Sequence, residues 1–362
     1  MNSSGSATAA GGVAVSMPVE FAGRGGEYFR IWIVNLVLTI LTFGIYSAWA
    51  KVRTKRYFYR NTIIGGSPFE YHARPIQILK GRAIVVGAYL AFSLVNMLSP
   101  ILGAIAILVF LGFLPWLVVR ASVFNARNSS WRDIRFNFNT ASKAEAGKIF
   151  LLFPFLSIFT LGLLTPYITY RGWRFAIANA RLGTTPFKIH AKLGKYYAAF
   201  FISLLMLVGI LVSLFIIGFL TLQRIGLPYG PESMSAMHMQ AMLVPMLAAA
   251  FFILAIPIFF IGYKALTRNA SLNATQLGPY QFESTLRVGI LCWITFSNLL
   301  AIIVSVGLLM PWARVRMTRY LAANLIMHGP PDLDTFVQGT RPDARALGEE
   351  ASDFFDVDIG GV

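Results

Sequence analysis

Six long apolar stretches constrain the fold of this chain more than any other feature of its sequence. Several of them reach the roughly 20 residues that an α-helix needs to cross about 30 Å of hydrocarbon. A soluble protein would have to enclose helices that are apolar on every side, and a chain with 13% charged residues offers no shell large enough. The stretches are Tyr28–Ala50, Ala83–Val119, Ile149–Tyr170, Tyr196–Leu222, Ala241–Tyr263 and Val288–Trp312. They predict a polytopic membrane protein.

Charge is distributed unevenly along the chain. The net charge is +16, yet 8 of the 15 acidic residues lie in the last 31 residues. The basic excess therefore belongs to the membrane body, where cations meet anionic lipid headgroups. Because the basic patches all adjoin apolar stretches, membrane lipids are the expected partners and we expect no nucleic-acid binding.

A motif of aromatic and basic residues occurs three times, and each copy ends in an asparagine. The copies are AWAKVRTKRYFYRN, ending at Asn61, TPYITYRGWRFAIAN, ending at Asn179, and PWARVRMTRYLAAN, ending at Asn324. A fourth, weaker copy, PWLVVRASVFNARN, ends at Asn128. Aligned on the final Asn, the copies share a leading aromatic residue, and the three stronger ones share two arginines and a glycine before the aromatic. The aromatic residues are Trp49, Trp116, Tyr167 and Trp312, and the glycines are Gly44, Gly162 and Gly307.

Each motif is followed by turn residues and then by alternating apolar and polar residues, as in NTIIGGSPFEYHA and NARLGTTPFKIHA. Period-two alternation after a turn is typical of a short β-hairpin. The predicted fold class is therefore an all-α polytopic membrane protein, a pseudo-repeated helical bundle that carries short cytosolic β-hairpins.

Composition divides the chain into three parts. Residues 1–19 are rich in Gly, Ala and Ser and predict a disordered leader. Residues 20–328 form the membrane domain, with internal repeats at about 20–82, 83–195 and 196–328. Residues 329–362 form an acidic C-terminal tail.

The basic loops predict which segments face the cytoplasm. Ala83–Val119 is broken near its middle by a proline and is expected to form a helical hairpin, as is Tyr196–Tyr263. Ile149–Tyr170 has basic flanks on both sides, which predicts a re-entrant or broken helix. The segments around Gly44 and Gly307 can bend in the same way. The total is five to seven spans.

The leading aromatic residue of each motif is expected at the membrane interface, where amphipathic rings are enriched. These residues are Trp49, Trp116, Tyr167 and Trp312. Two hypotheses stand for the arginines that follow. They anchor the helices to lipid headgroups, or they converge in a vestibule that binds phosphate or carboxylate groups by bidentate contacts. The arginines are Arg53, Arg56, Arg171, Arg174, Arg316 and Arg319. Within the apolar stretches, Asn35 and Asn298 occupy equivalent positions and form the candidate intramembrane polar pair.

Residues suited to catalysis are scarce. Only 7 acidic residues precede the tail, none of them inside an apolar core segment, so we predict no enzyme activity. His72 and His190 occupy equivalent positions, but the acid Glu70 beside one is replaced by Lys188 beside the other, so we expect no metal site. The single Cys292 allows no disulfide, and no cofactor motif is present.

The segments FGIYSAWAKVRTKRYFYRN, GGSPFEYHA and GLLMPWARVRMTRY resemble the YjgN-like family of bacterial inner-membrane proteins, a family without an established molecular function. The resemblance covers roughly Phe21 to Met327 and implies a multi-pass protein of the bacterial cytoplasmic membrane. The leading hypothesis is a protein that binds or translocates an anionic or amphiphilic, lipid-like solute without proton coupling. The alternative is a structural membrane module that recruits a cytosolic partner, and a homo-oligomer is a further candidate assembly.

Overall fold

The structure, a computed structural model, describes residues 15–139, 143–225 and 255–341. Its helices are α1 (Gly25–Leu41), α2 (Ser47–Arg60), α3 (Pro75–Leu98), α4 (Pro100–Arg127), α5 (Lys143–Gly147), α6 (Phe153–Phe159), α7 (Thr165–Ala178), α8 (Leu193–Ile225), α9 (described over 255–272), α10 (Val288–Val304), α11 (Met310–Ala323) and α12 (Leu333–Thr340). A π-helical turn, Lys148–Leu152, joins α5 to α6.

Short strands follow the helices. They are β1 (Val15–Pro18), β2 (Glu20–Phe21), β3 (Thr62–Ile64), β4 (Ser67–Tyr71), β5 (Ser129–Trp131), β6 (Ile134–Phe138), β7 (Ala180–Leu182), β8 (Thr185–Ile189), β9 (Thr275–Leu277), β10 (Tyr280–Ser284) and β11 (Leu325–Gly329). Within the described ranges, a helical pair followed by a strand hairpin recurs four times, and a fifth pair, α10–α11, is followed by β11.

The strands form one 11-stranded antiparallel sheet in the order β1-β11-β10-β9-β8-β7-β6-β5-β4-β3-β2. Its two ends meet at the start of the chain, because β1 pairs with β11 and β2 pairs with β3 while only Val19 separates them. The backbone N–H of Val19 donates to Leu325 O at 2.9 Å, and that of Ala22 donates to Asn61 O at 2.9 Å. The sheet is therefore a nearly closed barrel, an arrangement that protects strand edges.

This barrel corrects the predicted fold class: the protein is not all-α. The sequence pattern locates individual hairpins, but it does not show that each hairpin pairs with the next one, as Phe69 of β4 pairs with Trp131 of β5. β1 lies within residues 1–19, which were expected to be disordered, and it supplies the pairing that nearly closes the ring.

Aromatic side chains fill the barrel. Phe69, Phe136, Phe187 and Phe282 hold equivalent positions on β4, β6, β8 and β10, and consecutive ring centroids lie 6.3, 6.4 and 6.3 Å apart. Alternate strands of a barrel can bring their side chains this close only if the side chains point inward. Buried Leu182, Leu277 and Met327 belong to the same core cluster.

Helix α12 covers the end of the barrel where the hairpins turn. Phe336 packs against Tyr280 with ring centroids 5.0 Å apart, and Thr340 O accepts a 3.1 Å hydrogen bond from Thr184 N. Asp334 forms an ion pair with Arg132 in the β5–β6 turn. The helices join the strands at the opposite end of the barrel, so α12 and the helical pairs lie on opposite sides of it.

Three helices in the described ranges are long and apolar enough to cross a membrane: Pro75–Leu98, Pro100–Arg127 and the Leu193–Ile217 part of α8. Almost no residue in their apolar parts is buried by the rest of the chain. The predicted stretch Ala241–Tyr263 lies partly in 226–254, outside the described residues.

The other helical pairs turn at a glycine. Gly44, Gly162 and Gly307 have φ of 90°, 83° and 90°, a left-handed conformation that favours glycine. Their N–H groups donate to carbonyls five residues earlier, at distances between 2.7 and 3.0 Å, which ends the preceding helix with a sharp reversal.

Candidate functional site

The first arginine of each motif contacts a residue that precedes its own helix in the chain. Arg171 Nη2 donates to Glu145 Oε1 of α5 at 2.8 Å. Arg316 Nη1 donates to Ser297 Oγ of α10 at 2.8 Å. Arg53 Nη1 donates to the Tyr46 hydroxyl, next to α2, at 2.9 Å. The Arg316 contact therefore joins the two helices of its pair and the Arg171 contact joins α7 to α5, whereas Arg53 bonds to the residue immediately before its own helix.

The second arginine of each motif has a different partner. Arg56 donates to the carbonyls of Tyr71 and Ala73, at 3.2 and 3.3 Å, and so holds the loop that leaves β4. Arg319 donates to Gly23 O at 3.0 Å in the loop before α1. Arg174 donates to the Tyr170 hydroxyl within its own helix at 2.9 Å.

The six arginines therefore lie on three helices, α2, α7 and α11, and their hydrogen bonds in the described residues go to separate local partners. The structure does not join them through a shared contact. Ligand binding by these arginines stays a prediction.

The four aromatic residues lie near the start of the same motifs. Trp312 packs on Phe29 of α1 with centroids 5.0 Å apart, and Trp49 packs on Tyr46 at 6.0 Å. The Arg171 guanidinium lies over the Tyr167 ring at 6.0 Å, and Arg120 lies over Trp116 at 5.5 Å. Ring and cation thus occur together, as expected near lipid headgroups, but their depth in a membrane stays a prediction.

The two asparagines that the sequence predicts to lie within the membrane have different surroundings. Asn298 Nδ2 donates to Ala313 O at 3.1 Å, and its Oδ1 accepts from Arg316 at 3.3 Å. Asn35 is 5% exposed, and neither polar atom of its amide has a hydrogen-bond partner among the described residues. No hydrogen bond in the described residues joins the two asparagines.

A basic cavity lies beside the barrel, where β8 passes into α8. Its volume is about 220 Å³. The lining residues are His190, Lys192, Lys195, Asn273, Ala274, Thr275, Gln276 and Gln281. His190 N donates to Ala274 O at 2.8 Å, which fixes the two walls against each other. Three of these side chains are basic, four are neutral and polar, and none is acidic.

The equivalent position at β4 shows why this cavity favours an anion. There, His72 Nε2 lies 2.7 Å from Ser130 Oγ and 3.6 Å from Glu70 Oε2, so a carboxylate compensates the imidazole. At β8 the residue equivalent to Glu70 is Lys188, and Lys192 and Lys195 add two cations near His190. A single phosphate or carboxylate group would compensate this excess of positive charge.

Sequence reasoning weighed metal binding at His190, favoured a strand residue without a ligand, and missed the cavity. Among the described residues there is no group of three or more His, Cys, Asp or Glu that could hold a metal ion. The signal that could have identified an anion site is the segment IHAKLGK itself, in which a histidine and two lysines precede an apolar helix.

A family model described as “Bacterial protein of unknown function (DUF898)” matches residues 16–354. The chain belongs to this family. It is 25% identical over 361 residues to the inner membrane protein YjgN of Salmonella typhimurium. This alignment covers 87% of this chain and 89% of the relative. It is 32% identical over 143 residues to the inner membrane protein YjgN of Escherichia coli O157:H7. This alignment covers 39% of this chain and 36% of the relative. No solved structure matches.

The family membership that the motifs indicated is thus confirmed. The names of the relatives, together with three helices long and apolar enough to span a bilayer, identify a membrane protein and support a location in a bacterial inner membrane. Neither the family description nor these names give a molecular function.

Proposed function

We propose that this protein is a multi-pass inner-membrane protein that binds the phosphate-bearing headgroup of an anionic amphiphile in the basic cavity at His190, Lys192 and Lys195. The observation that carries the proposal is the composition of that cavity: three basic and four polar side chains with no acid. Binding of this kind requires neither an acid–base pair nor a metal, and we propose that the protein is not an enzyme.

The position of the cavity favours a lipid over a solute free in water. Lys192 and Lys195 lie at the start of α8, a helix long and apolar enough to cross a membrane. A phosphate held there would leave its acyl chains beside the apolar part of the same helix. Cations at the boundary of such a helix attract anionic headgroups, and their side chains reach headgroup depth.

The same boundary carries cations around the barrel. Arg24, Arg74, Lys192 and Arg287 hold equivalent positions in the loops before α1, α3, α8 and α10, and all four are exposed. By the positive-inside rule these loops face the cytoplasm. In our proposal the barrel is therefore cytosolic, α3–α4 crosses the membrane and returns, and α8 and α9 belong to a second pair that does the same.

The test is a double variant, Lys192→Gln with Lys195→Gln. The purified full-length protein is titrated with dioctanoyl phosphatidylglycerol and followed by native mass spectrometry. The expected loss of affinity is at least tenfold, since losing even one charge-assisted contact costs about 1.5 kcal/mol. The matched control is Arg135→Gln with Arg181→Gln, which removes two exposed charges from β6 and β7 outside the cavity.

Equal losses in the two double variants would contradict a built site, since net charge alone would then explain the binding. A second titration with inorganic phosphate distinguishes the two sources of the anion. If phosphate binds as tightly as the lipid, the ligand is a soluble anion. If the lipid binds much more tightly, the ligand is a headgroup.

Recruitment of a cytosolic partner is the second candidate. One observation favours it: α12 holds the start of the acidic tail at the end of the barrel away from the helices. Removing residues 342–362, most of the tail beyond α12, is then expected to abolish co-purification of a partner. A partner that stays bound to the shortened chain would rule out this role for that segment.

A further inference from the structure

The barrel carries its positive charge on one side. In the strands that the structure describes, every Lys and Arg lies on β6, β7 or β8, and all of them are exposed. They are Arg135, Arg181 and Lys188. The acidic residues of the strands, Glu20, Glu70 and Glu283, lie instead on β2, β4 and β10. The surface formed by β6, β7 and β8 therefore differs in charge from the rest of the sheet, and we name it the basic face.

The basic face continues into the basic cavity. Lys188 pairs with Gln276, which lines the cavity, and His190 follows two residues later along the chain. Lys192 and Lys195 extend the series of cations to the start of α8. The positive charge thus runs without interruption by an acidic residue from β8 to the end of the barrel that carries the helices.

Helix α12 ends beside the turn at which β8 begins. Thr340 O accepts a 3.1 Å hydrogen bond from Thr184 N, and Thr340 Oγ1 lies 3.0 Å from Thr185 Oγ1. Thr185 is the first residue of β8, and His190 comes five residues later, about 17 Å along an extended strand. The chain therefore leaves α12 at one end of β8, and the basic cavity lies at the other end.

Contacts with all four hairpin turns of the barrel fix this exit point. A Cβ atom added at the glycine of three turns would lie within 2.7 Å of an atom of α12, and the fourth turn forms an ion pair with it. The contacts are Leu333 with Gly65, Asp334 with Arg132, Phe336 with Gly278 and Thr340 with Gly183. Because α12 is held at so many points, the segment that follows it starts from a defined place on the barrel.

The segment that follows α12 is acidic. Residues 342–362 carry six acidic residues and one basic residue. The acidic residues are Asp343, Glu349, Glu350, Asp353, Asp356 and Asp358. Glu349 is nine residues from Thr340, and nine extended residues span up to about 30 Å, well beyond the ~17 Å from Thr185 to His190. Glu349 and the acidic residues after it can therefore reach the basic cavity.

We propose that residues 342–362 bind to the basic face and the basic cavity of their own chain and compete there with anionic headgroups. This inference rests on the proposed function, because it describes the regulation of the same site. Tethering makes such binding effective, since a segment joined to its site has an effective concentration on the order of mM. Exposed ion pairs, each of them weak, are sufficient at that concentration.

The membrane surface supplies the release. Anionic lipids create a negative surface potential, which attracts Lys192 and Lys195 and repels the acidic segment. The segment therefore occupies the cavity where anionic lipid is scarce, and a headgroup replaces it where anionic lipid is abundant. Headgroup binding then rises more steeply with anionic lipid content than it would without the segment.

The experiment is carbodiimide crosslinking of the full-length protein in phosphatidylcholine nanodiscs, with and without phosphatidylglycerol. The reagent joins a carboxylate to a lysine amine only where the two are in contact, and peptide mass spectrometry of the monomer band identifies the pair. We expect residues 342–362 to crosslink to Lys192 and Lys195 in phosphatidylcholine and much less when phosphatidylglycerol is present. The matched control is Lys80, an exposed lysine in the first turns of α3. Equal crosslinking to Lys80 would overturn the proposal.

A second measurement uses charge variants of the full-length protein. Glu349→Gln with Glu350→Gln removes two charges from the segment and should raise the affinity for dioctanoyl phosphatidylglycerol about fivefold, the combined effect of two exposed ion pairs. The gain should be present in about 20 mM ammonium acetate and absent in about 500 mM, because salt screens exposed charges. The matched control, Glu20→Gln with Glu70→Gln, removes two acidic residues outside the basic face. An equal gain in the control would overturn the proposal, since net charge alone would then explain it.

Two outcomes separate this inference from the proposed function. If the wild type and the Glu349→Gln, Glu350→Gln variant bind phosphatidylglycerol equally, and no crosslink joins residues 342–362 to Lys192 or Lys195, the competition is overturned and headgroup binding stands. If the crosslinks form but neither protein binds phosphatidylglycerol, the proposed function is contradicted and the binding of the segment to the cavity is supported.

Discussion

Glycine 183 offers a sharp test of how α12 is held on the barrel. It lies in the β7–β8 turn with φ of 53°, and a Cβ atom there would overlap the carbonyl oxygen of Thr340. Gly66, in the β3–β4 turn, also has a positive φ (73°), but a Cβ atom there meets nothing within 4 Å. Gly66→Ala therefore measures backbone strain alone, and Gly183→Ala adds the collision with α12.

The structure sets the expected difference. Positive φ costs either alanine about 1–2 kcal/mol. At Gly183 the backbone of α12 must also move, which removes the hydrogen bonds from Thr184 N and Thr185 to Thr340. Two hydrogen bonds at about 1 kcal/mol each make the detachment of α12 easier by ~2 kcal/mol, or roughly 30-fold.

The assay is thiol labelling at Val337→Cys, a position in α12 that is 6% exposed, with Cys292 replaced by serine. A buried thiol reacts only when α12 detaches, so its labelling rate reports the open population. We expect Gly183→Ala to raise that rate roughly 30-fold over Gly66→Ala. Equal labelling rates in the two variants would refute the idea that the Thr340 contacts hold α12 in place.

Three further outcomes follow from the contacts. Asn35→Leu should raise the melting temperature, because it removes a buried amide that has no hydrogen-bond partner among the described residues. Asn298→Leu should lower it, because it removes the hydrogen bonds to the Ala313 carbonyl and to Arg316; the same sign for both would contradict this. Burial raises the pKa of Tyr71 to about 12, so its contribution to stability is full below pH 10 and is lost as the pH rises toward 12. Tyr71→Phe should remove that part of the loss of thermal stability at high pH. An unchanged pH profile in the variant would contradict this assignment. Asp334→Asn should change stability by less than about 1 kcal/mol, because the carboxylate paired with Arg132 is 82% exposed; a larger loss would show that this ion pair holds α12.

Local features of the fold could be predicted from the sequence, because their signals are local. A glycine with flanking apolar residues marks the helical reversals at Gly44, Gly162 and Gly307, and alternating residues after Asn61 mark a hairpin. The near-closure of the barrel could not be predicted in this way. It depends on β1, a four-residue strand in a Gly- and Ala-rich segment, whose partner β11 lies more than 300 residues later. Pairing at such a distance leaves no periodic signal near either strand.

The candidate site was missed for a related reason. The arginines stand out because they recur at fixed spacing, yet each one has a separate local partner. The cavity combines His190, Lys192 and Lys195 with Asn273 and Gln276, about 80 residues later. Only the pairing of β8 with β9 brings these segments together.

The position of the helical reversals in the membrane tests the proposed topology most directly. Single cysteines at Phe43, Leu161, Val306 and Ser99, with Cys292 replaced by serine, are labelled with a fluorophore in vesicles that contain lipids brominated at different depths. The predicted re-entrant segments place the first three within the hydrocarbon, where they are shielded from thiol reagents in water. Ser99, between α3 and α4, is expected to be quenched near the far headgroups and to react with an impermeant thiol reagent added on that side. If Phe43, Leu161 and Val306 react from the far side as readily as Ser99, the helical pairs that turn at Gly44, Gly162 and Gly307 cross the whole membrane and the account is wrong.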